Sequence, residues 1–197
     1  MKKILLSIVA FTLCIISVYG EQVVGNYTLG YFNKTYEIEA GKPKNGKFAI
    51  YIQVSAERDY TRAMVGISSD DLEDLKQSLI QMKEKYEEWT KVAKENNVTE
   101  MTKSMDIKFP SATICWNASK WFFSFGCKLQ PQFLILKGKH VVSIVKKVTA
   151  SSNDYIDETI YWVFSDPKEI DALISQLDFE TIKSKLETIE NDSELFK

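Results

Sequence analysis

The sequence predicts an α+β domain: an antiparallel, largely meandering sheet packed against a long central helix and a helical C-terminus. Three observations carry that expectation. Apolar and polar residues alternate with period two from residue 34 to 67 and again from 101 to 164. Between these stretches Leu72, Leu75, Leu79, Met82, Tyr86, Trp89 and Ala93 recur at spacings of three and four. Beyond them, Asp166-Pro167-x-Glu169 combines an acidic cap, a first-turn proline and a third-position glutamate. Period two marks a half-buried strand, period 3.6 an amphipathic helix, and the last pattern a helix start.

The chain opens with Met1-Lys2-Lys3, an apolar run from Ile4 to Val18, and Tyr19-Gly20. A short basic start, an apolar core and small residues at the cut site are the pattern of a secretory signal peptide. Residues 1–20 are therefore expected to be removed before Glu21, and the protein to act outside the cytosol, in a periplasm or secreted. Leu13 before Cys14 fits lipid attachment poorly, because that signal wants a small residue. No other apolar run reaches the roughly 20 residues a membrane span needs, so no anchor is expected after cleavage. Residues 21–190 then form a single domain and 191–197 a frayed tail.

In that domain Tyr36, Ile38 and Ala40 alternate with Glu37 and Glu39, and a turn follows from Gly41 to Gly46. Phe48, Ile50, Ile52, Val54 and Ala56 face one way, leaving Tyr51 on the opposite, polar side. Ala63, Val65 and Ile67 make the next strand. The helix over about 69–96 is capped by Ser68 or Asp70 and stopped by Asn96-Asn97. Strands resume with Met105, Ile107 and Phe109. A hairpin turning at Asn117–Lys120 follows, and its second strand is expected to put Trp121, Phe123, Phe125 and Cys127 inward and Phe122 outward. Phe133–Leu136 and Val141–Val145 flank a turn at Lys137–Lys139, and Thr159–Phe164 is the last strand. The C-terminal stripe Ile170, Leu173, Leu177, Ile182, Leu186 and Ile189 carries a break at Asp178.

The two alternating stretches also resemble each other. Val54-Ser-Ala56, Asp59-Tyr60 and Ser69-Asp70 recur as Val148-Thr-Ala150, Asp154-Tyr155 and Ser165-Asp166, at offsets of 94, 95 and 96. This suggests a duplicated strands-then-helix unit.

Charge is unevenly placed. Between Met101 and Val148 lie eight lysines and one acid; from Ser151 onward lie twelve acids and four lysines. Two arrangements follow. Either the acidic helical end lies across a basic sheet, or Lys120, Lys128, Lys137, Lys139, Lys146 and Lys147 form an open face for an anionic partner. With Tyr51 and an outward Phe122 they would make a surface for a polysaccharide or another envelope protein. Nucleic acid is disfavoured by export.

Catalytic chemistry finds little support. His140 is the single histidine and sits in a strand. No histidine and cysteine spacing suggests a metal, no glycine-rich phosphate loop occurs, and no cofactor or catalytic residue is assigned. Exported non-catalytic binding is the favoured reading. The rivals are a small hydrolase using His140 or an acid pair (Asp70-Asp71, Asp157-Glu158), and an envelope protein dimerising through its long helix. Cys115 and Cys127 are either a disulfide or two small apolar core residues. Finally, Asn26, Asn33, Asn97, Asn117 and Asn191 each begin an Asn-x-Ser/Thr site. The Met-Lys-Lys-Ile-Leu-Leu start resembles a bacterial export signal, a setting in which such sites usually carry nothing.

Overall fold

In a computed structural model the described residues are 21–58 and 61–194, with the side chains of 190–194 left aside. The expected leader at 1–20 lies outside them. The strands are β1 (Gln22–Leu29), β2 (Lys34–Ala40), β3 (Ala49–Ala56), β4 (Arg62–Ser68), β5 (Met101–Ser104), β6 (Ala112–Asn117), β7 (Trp121–Cys127), β8 (Pro131–Leu136), β9 (Lys139–Ala150) and β10 (Asn153–Phe164). The helices are α1 (Leu72–Glu95), α2 (Pro167–Gln176) and α3 (Phe179–Glu194). All ten strands join one antiparallel sheet in the order β5-β8-β9-β10-β3-β4-β6-β7, with β1-β2 branching from β3. The expected α+β class and meandering sheet are what the chain adopts.

The sheet forks at β3. Residues 50–52 pair with β2, while Ser55 and Ala56 pair with β10. Two tyrosines fill the fork. Tyr27 donates its hydroxyl to the Gln53 carbonyl at 2.6 Å, and the Tyr36 hydroxyl shares a hydrogen bond with Ser55 Oγ. Backbone groups that neither partner strand reaches are satisfied by side chains, as buried polar groups must be.

Around the fork stand two four-stranded meanders, each followed by helix: β1-β2-β3-β4 then α1, and β5-β8-β9-β10 then α2. Their central hairpins share a register. Ala49↔Ser68, Ile50↔Ile67 and Val54↔Ala63 correspond to Ser143↔Val163, Ile144↔Trp162 and Val148↔Glu158, at offsets of 94 and 95. The weak sequence echo is thus matched pair for pair in the ladder. The β6–β7 hairpin is an addition to β4.

Helix α1 buries Leu72, Leu75, Leu79, Met82, Tyr86 and Ala93 in the main core. Its apolar stripe is spent inside the chain, leaving Val92 as its one exposed large apolar residue among those described. Ser68 caps the preceding 3-10 turn, and Asn97 ends the helix at φ 51°. At α2 the cap residue Asp166 accepts from Lys168 N at 2.9 Å, and Glu169 reaches back to accept from Ser165 N at 2.9 Å. The break expected at Asp178 is present. Asp178 accepts from Thr181 N at 2.8 Å and restarts the helix, which remains helical beyond Asn191, where fraying was expected.

The β6–β7 hairpin corrects the expected facing. It turns where anticipated, with Asn117 opposite Trp121. Phe122 however points into the core, 5% exposed and 5.9 Å from the Trp116 ring; Trp121 and Phe123 lie on the other face. A bulge explains why one alternating run cannot describe this strand. The register shifts between Ala112 and Ile114, and Gly126 takes φ 67°, so Thr113 faces two residues of β7. Past the bulge the side-chain parity reverses and Cys127 returns to the core. Cys115 belongs to the opposite face, so the two cysteines are separate, buried and free.

Candidate ligand cleft

An open cleft of about 1120 Å³ lies at one end of the sheet. Four segments that are distant in sequence build it: the β1–β2 turn, the last turns of α1, the β8–β9 turn and the β10–α2 junction. Each is fixed by a local device. Gly30 N donates to Glu169 Oε1 at 2.9 Å, tying the first turn to the start of α2. A side chain on Gly30 would meet that carboxylate at 2.6 Å, so the Glu169 side chain would have to shift. In the β8–β9 turn Lys137 and Gly138 both have positive φ, 51° and 77°, which matches the twist of a two-residue hairpin. Gly138 N donates to Thr99 O at 3.0 Å, holding that turn beside the end of α1.

The inner wall is aromatic and polar. Tyr86 donates to the His140 carbonyl at 2.8 Å, and the His140 ring stacks on buried Phe133 at 6.0 Å and 19°. Burial, and then the positive charge of Lys94, hold the imidazole below its ordinary pKa, so it is neutral at pH 7. His140 Nε2 and Thr90 Oγ1 are buried without a hydrogen-bond partner. Tyr31 stands at the rim, 50% exposed. Lys91, Lys94 and Lys139 line the cleft, and none forms an ion pair among the described residues. Glu87, Glu95 and Asp166 line it too, so the cleft is mixed in charge.

Of the residues singled out in the sequence, Lys139 and His140 line this cleft. Lys137 belongs to the same β8–β9 turn but lines a smaller cavity beside it, with Glu100 and Thr102. The remaining lysines do not join them. Lys147 is eight residues from Lys139 along β9, about 26 Å at 3.3 Å per residue, and pairs with Asp157 at 2.7 Å. Lys146 is its half-buried neighbour. Lys120, whose ammonium sits 5.5 Å from the Phe122 ring, and Lys128 flank opposite ends of β7. The acidic helices do not lie across these strands either; α2 packs on α1 and β1, and α3 on β1. The single basic face, open or covered, gives way to dispersed lysines because the alternating strands send them to different ends of the sheet.

Tyr51 is likewise not a surface residue. It is 6% exposed and packs with Met64 and Cys115, over Gly66. Burial pushes the Cys115 thiol pKa up, away from the reactive thiolate. Each acid pair weighed for hydrolysis has members engaged elsewhere: Asp70 with Lys47, Asp157 with Lys147, and buried Glu158 with Arg58 at 3.6 Å. Sequence reasoning missed Tyr31, Thr90, Lys91 and Lys94. The one available signal was Lys91 and Lys94 at i,i+3 on the polar side of α1.

No protein-family model matches the chain, and neither does any curated protein or solved structure. Among the described residues no helix is long and apolar enough to cross a membrane.

Proposed function

We propose that the protein is an exported, non-catalytic binding module and that the cleft between α1 and the β8–β9 turn takes its ligand, a short acidic saccharide. The observation that carries this reading is the convergence in one cavity of three lysines, outside any ion pair among the described residues, with Thr90, His140 and the half-exposed Tyr31. Tyr31 offers a ring for stacking, and the lysines offer charge to acidic substituents. Glu87, Glu95 and Asp166 can accept from sugar hydroxyls. Pocket and ligand then match by mixed polarity rather than by a single sign of charge.

The test is calorimetric titration of the protein starting at Glu21 with a uronic-acid oligosaccharide. Binding is expected, weakening with salt as screening shortens from about 10 Å at 0.1 M to about 3 Å at 1 M. Lys94→Ala with Lys139→Ala should weaken it at least tenfold. Equal binding by wild type and the double variant would place the site elsewhere, and absence of binding to acidic and neutral oligosaccharides alike would remove the saccharide reading.

A further inference from the structure

We infer that the chain is N-glycosylated, with Asn33 and Asn97 carrying glycans on either side of the cleft. The inference rests on the export reading and goes beyond it. The chain contains eight asparagines, all after residue 20, and 29 serines and threonines among 197 residues. At that usage about one asparagine in seven would begin an Asn-x-Ser/Thr site by chance, or roughly one of the eight. Five do, at Asn26, Asn33, Asn97, Asn117 and Asn191, none with proline between. The excess of sites outweighs the bacterial look of the Met-Lys-Lys-Ile-Leu-Leu start, since a basic start followed by an apolar core serves export in bacteria and in eukaryotes alike.

The fold meets the requirement that a glycan have room. Asn26 is exposed on the outward side of β1, and Asn117 is the half-buried last residue of β6, at the hairpin turn. Asn33 and Asn97 are exposed and take the left-handed backbone conformation, φ 49° and 51°, which lifts each out of its element. Asn33 closes the turn that holds Tyr31, and Asn97 lies two residues beyond Glu95. Two walls of the cleft would thus each bear a glycan at the outer edge, narrowing access to a slender chain end.

The donor is a lipid-linked oligosaccharide diphosphate. The bond from the sugar's anomeric carbon to the diphosphate oxygen breaks, a bond from that carbon to Asn Nδ2 forms, the amide gives up one proton, and the lipid diphosphate leaves.

The experiment is peptide mass mapping of the protein recovered from the exported fraction of the cells that make it, before and after an amidase that releases N-glycans and leaves aspartate behind. Expected are an N-terminus at Glu21 and conversion of Asn33 and Asn97 to aspartate on treatment. Thr35→Ala and Thr99→Ala should each abolish one of these conversions while leaving the other. A chain beginning at Glu21 with Asn33 and Asn97 unmodified would overturn the glycan inference alone. A chain retaining Met1 in the membrane would overturn the export reading, and this inference with it.

Discussion

The two central hairpins have one ladder and two outer faces. In the first, Tyr51 stands opposite Gly66 and packs with Met64 and Cys115 into a second buried cluster. The corresponding pair in the second is Val145 opposite Tyr161, where Val145 is 47% exposed beside an apolar groove that also includes Leu134 and Val163. The ring has changed strands, from β3 to β10. Inward positions differ as sharply, for Glu158 is buried where Ala63 stands. A shared pattern of strand pairing thus leaves the residues of both faces free to differ, because backbone register fixes which residues meet and not what they are.

The largest perturbation of this comparison is Trp162→Ala. Trp162 is fully buried at the position of Ile67, and its loss should cost about 3–5 kcal/mol, against about 2–5 for Ile67→Ala. Urea unfolding midpoints for both variants would measure this. A near-neutral Trp162→Ala would mean that the second hairpin does not share the core. Next comes Gly66→Ala. Its Cβ would sit 2.9 Å from Tyr51 Cε1 and 3.3 Å from the Thr113 carbonyl, an overpacking cost of about 1–3 kcal/mol. Adding Tyr51→Ala should recover part of that cost in a double-mutant cycle. Tyr161→Ala, on the open face, should be milder than Tyr51→Ala; the reverse order would contradict the contrast of sealed and open faces.

Smaller still is Glu158→Ala, which gives the second hairpin the first one's residue. Arg58 is 44% exposed and can return to water, so the cost should be limited to about 1 kcal/mol, from the Thr159 N–H that donates to Glu158 Oε1 at 3.0 Å. A loss of several kcal/mol would show that Glu158 holds something the alanine of the first hairpin does not. The smallest effect expected is a pH dependence. His140 has its pKa lowered in the fold, so above its unfolded value it is neutral in both states and costs nothing. As pH falls below that value the unfolded chain takes up the proton first, and stability declines. Thermal melts at pH 7.5 and 5.5 should show this decline diminished in His140→Gln. Binding of an acidic ligand should move oppositely, tightening on acidification, with the variant losing that dependence.

The architecture was legible because period is a local property. The stripe from Leu72 to Ala93 needs no knowledge of its partners to specify a helix face, and Ser68 and Asp166 cap by contacts within a few residues. The facing of β7 was not legible. Trp121, Phe122, Phe123 and Phe125 are aromatic on both sides, so alternation offers two solutions, and the choice is made by Trp116 across the ladder and by the bulge at Gly126. The cleft was illegible for a different reason. Its walls come from residues near 31, 91, 139 and 166, which no local spacing relates. Lys139 was found because it stood among other lysines; Lys94 was missed because on a polar helix face it looks like any solvated residue.

The fork at β3 sets an order in time. As the chain emerges, β1–β4 can pair at once, yet the edge at Ser55 and Ala56 stays unfinished until Tyr161 and Ile160 arrive, 104 residues beyond Ala56. Closing a loop that long is slow compared with folding a hairpin. Until then an unpaired strand edge is exposed next to apolar side chains, the situation in which chains aggregate. A chain that folds in this order gains from a folding assistant that shields this edge, and deuterium pulse-labelling during refolding should find the amides of β10 opposite β3 among the last to become protected.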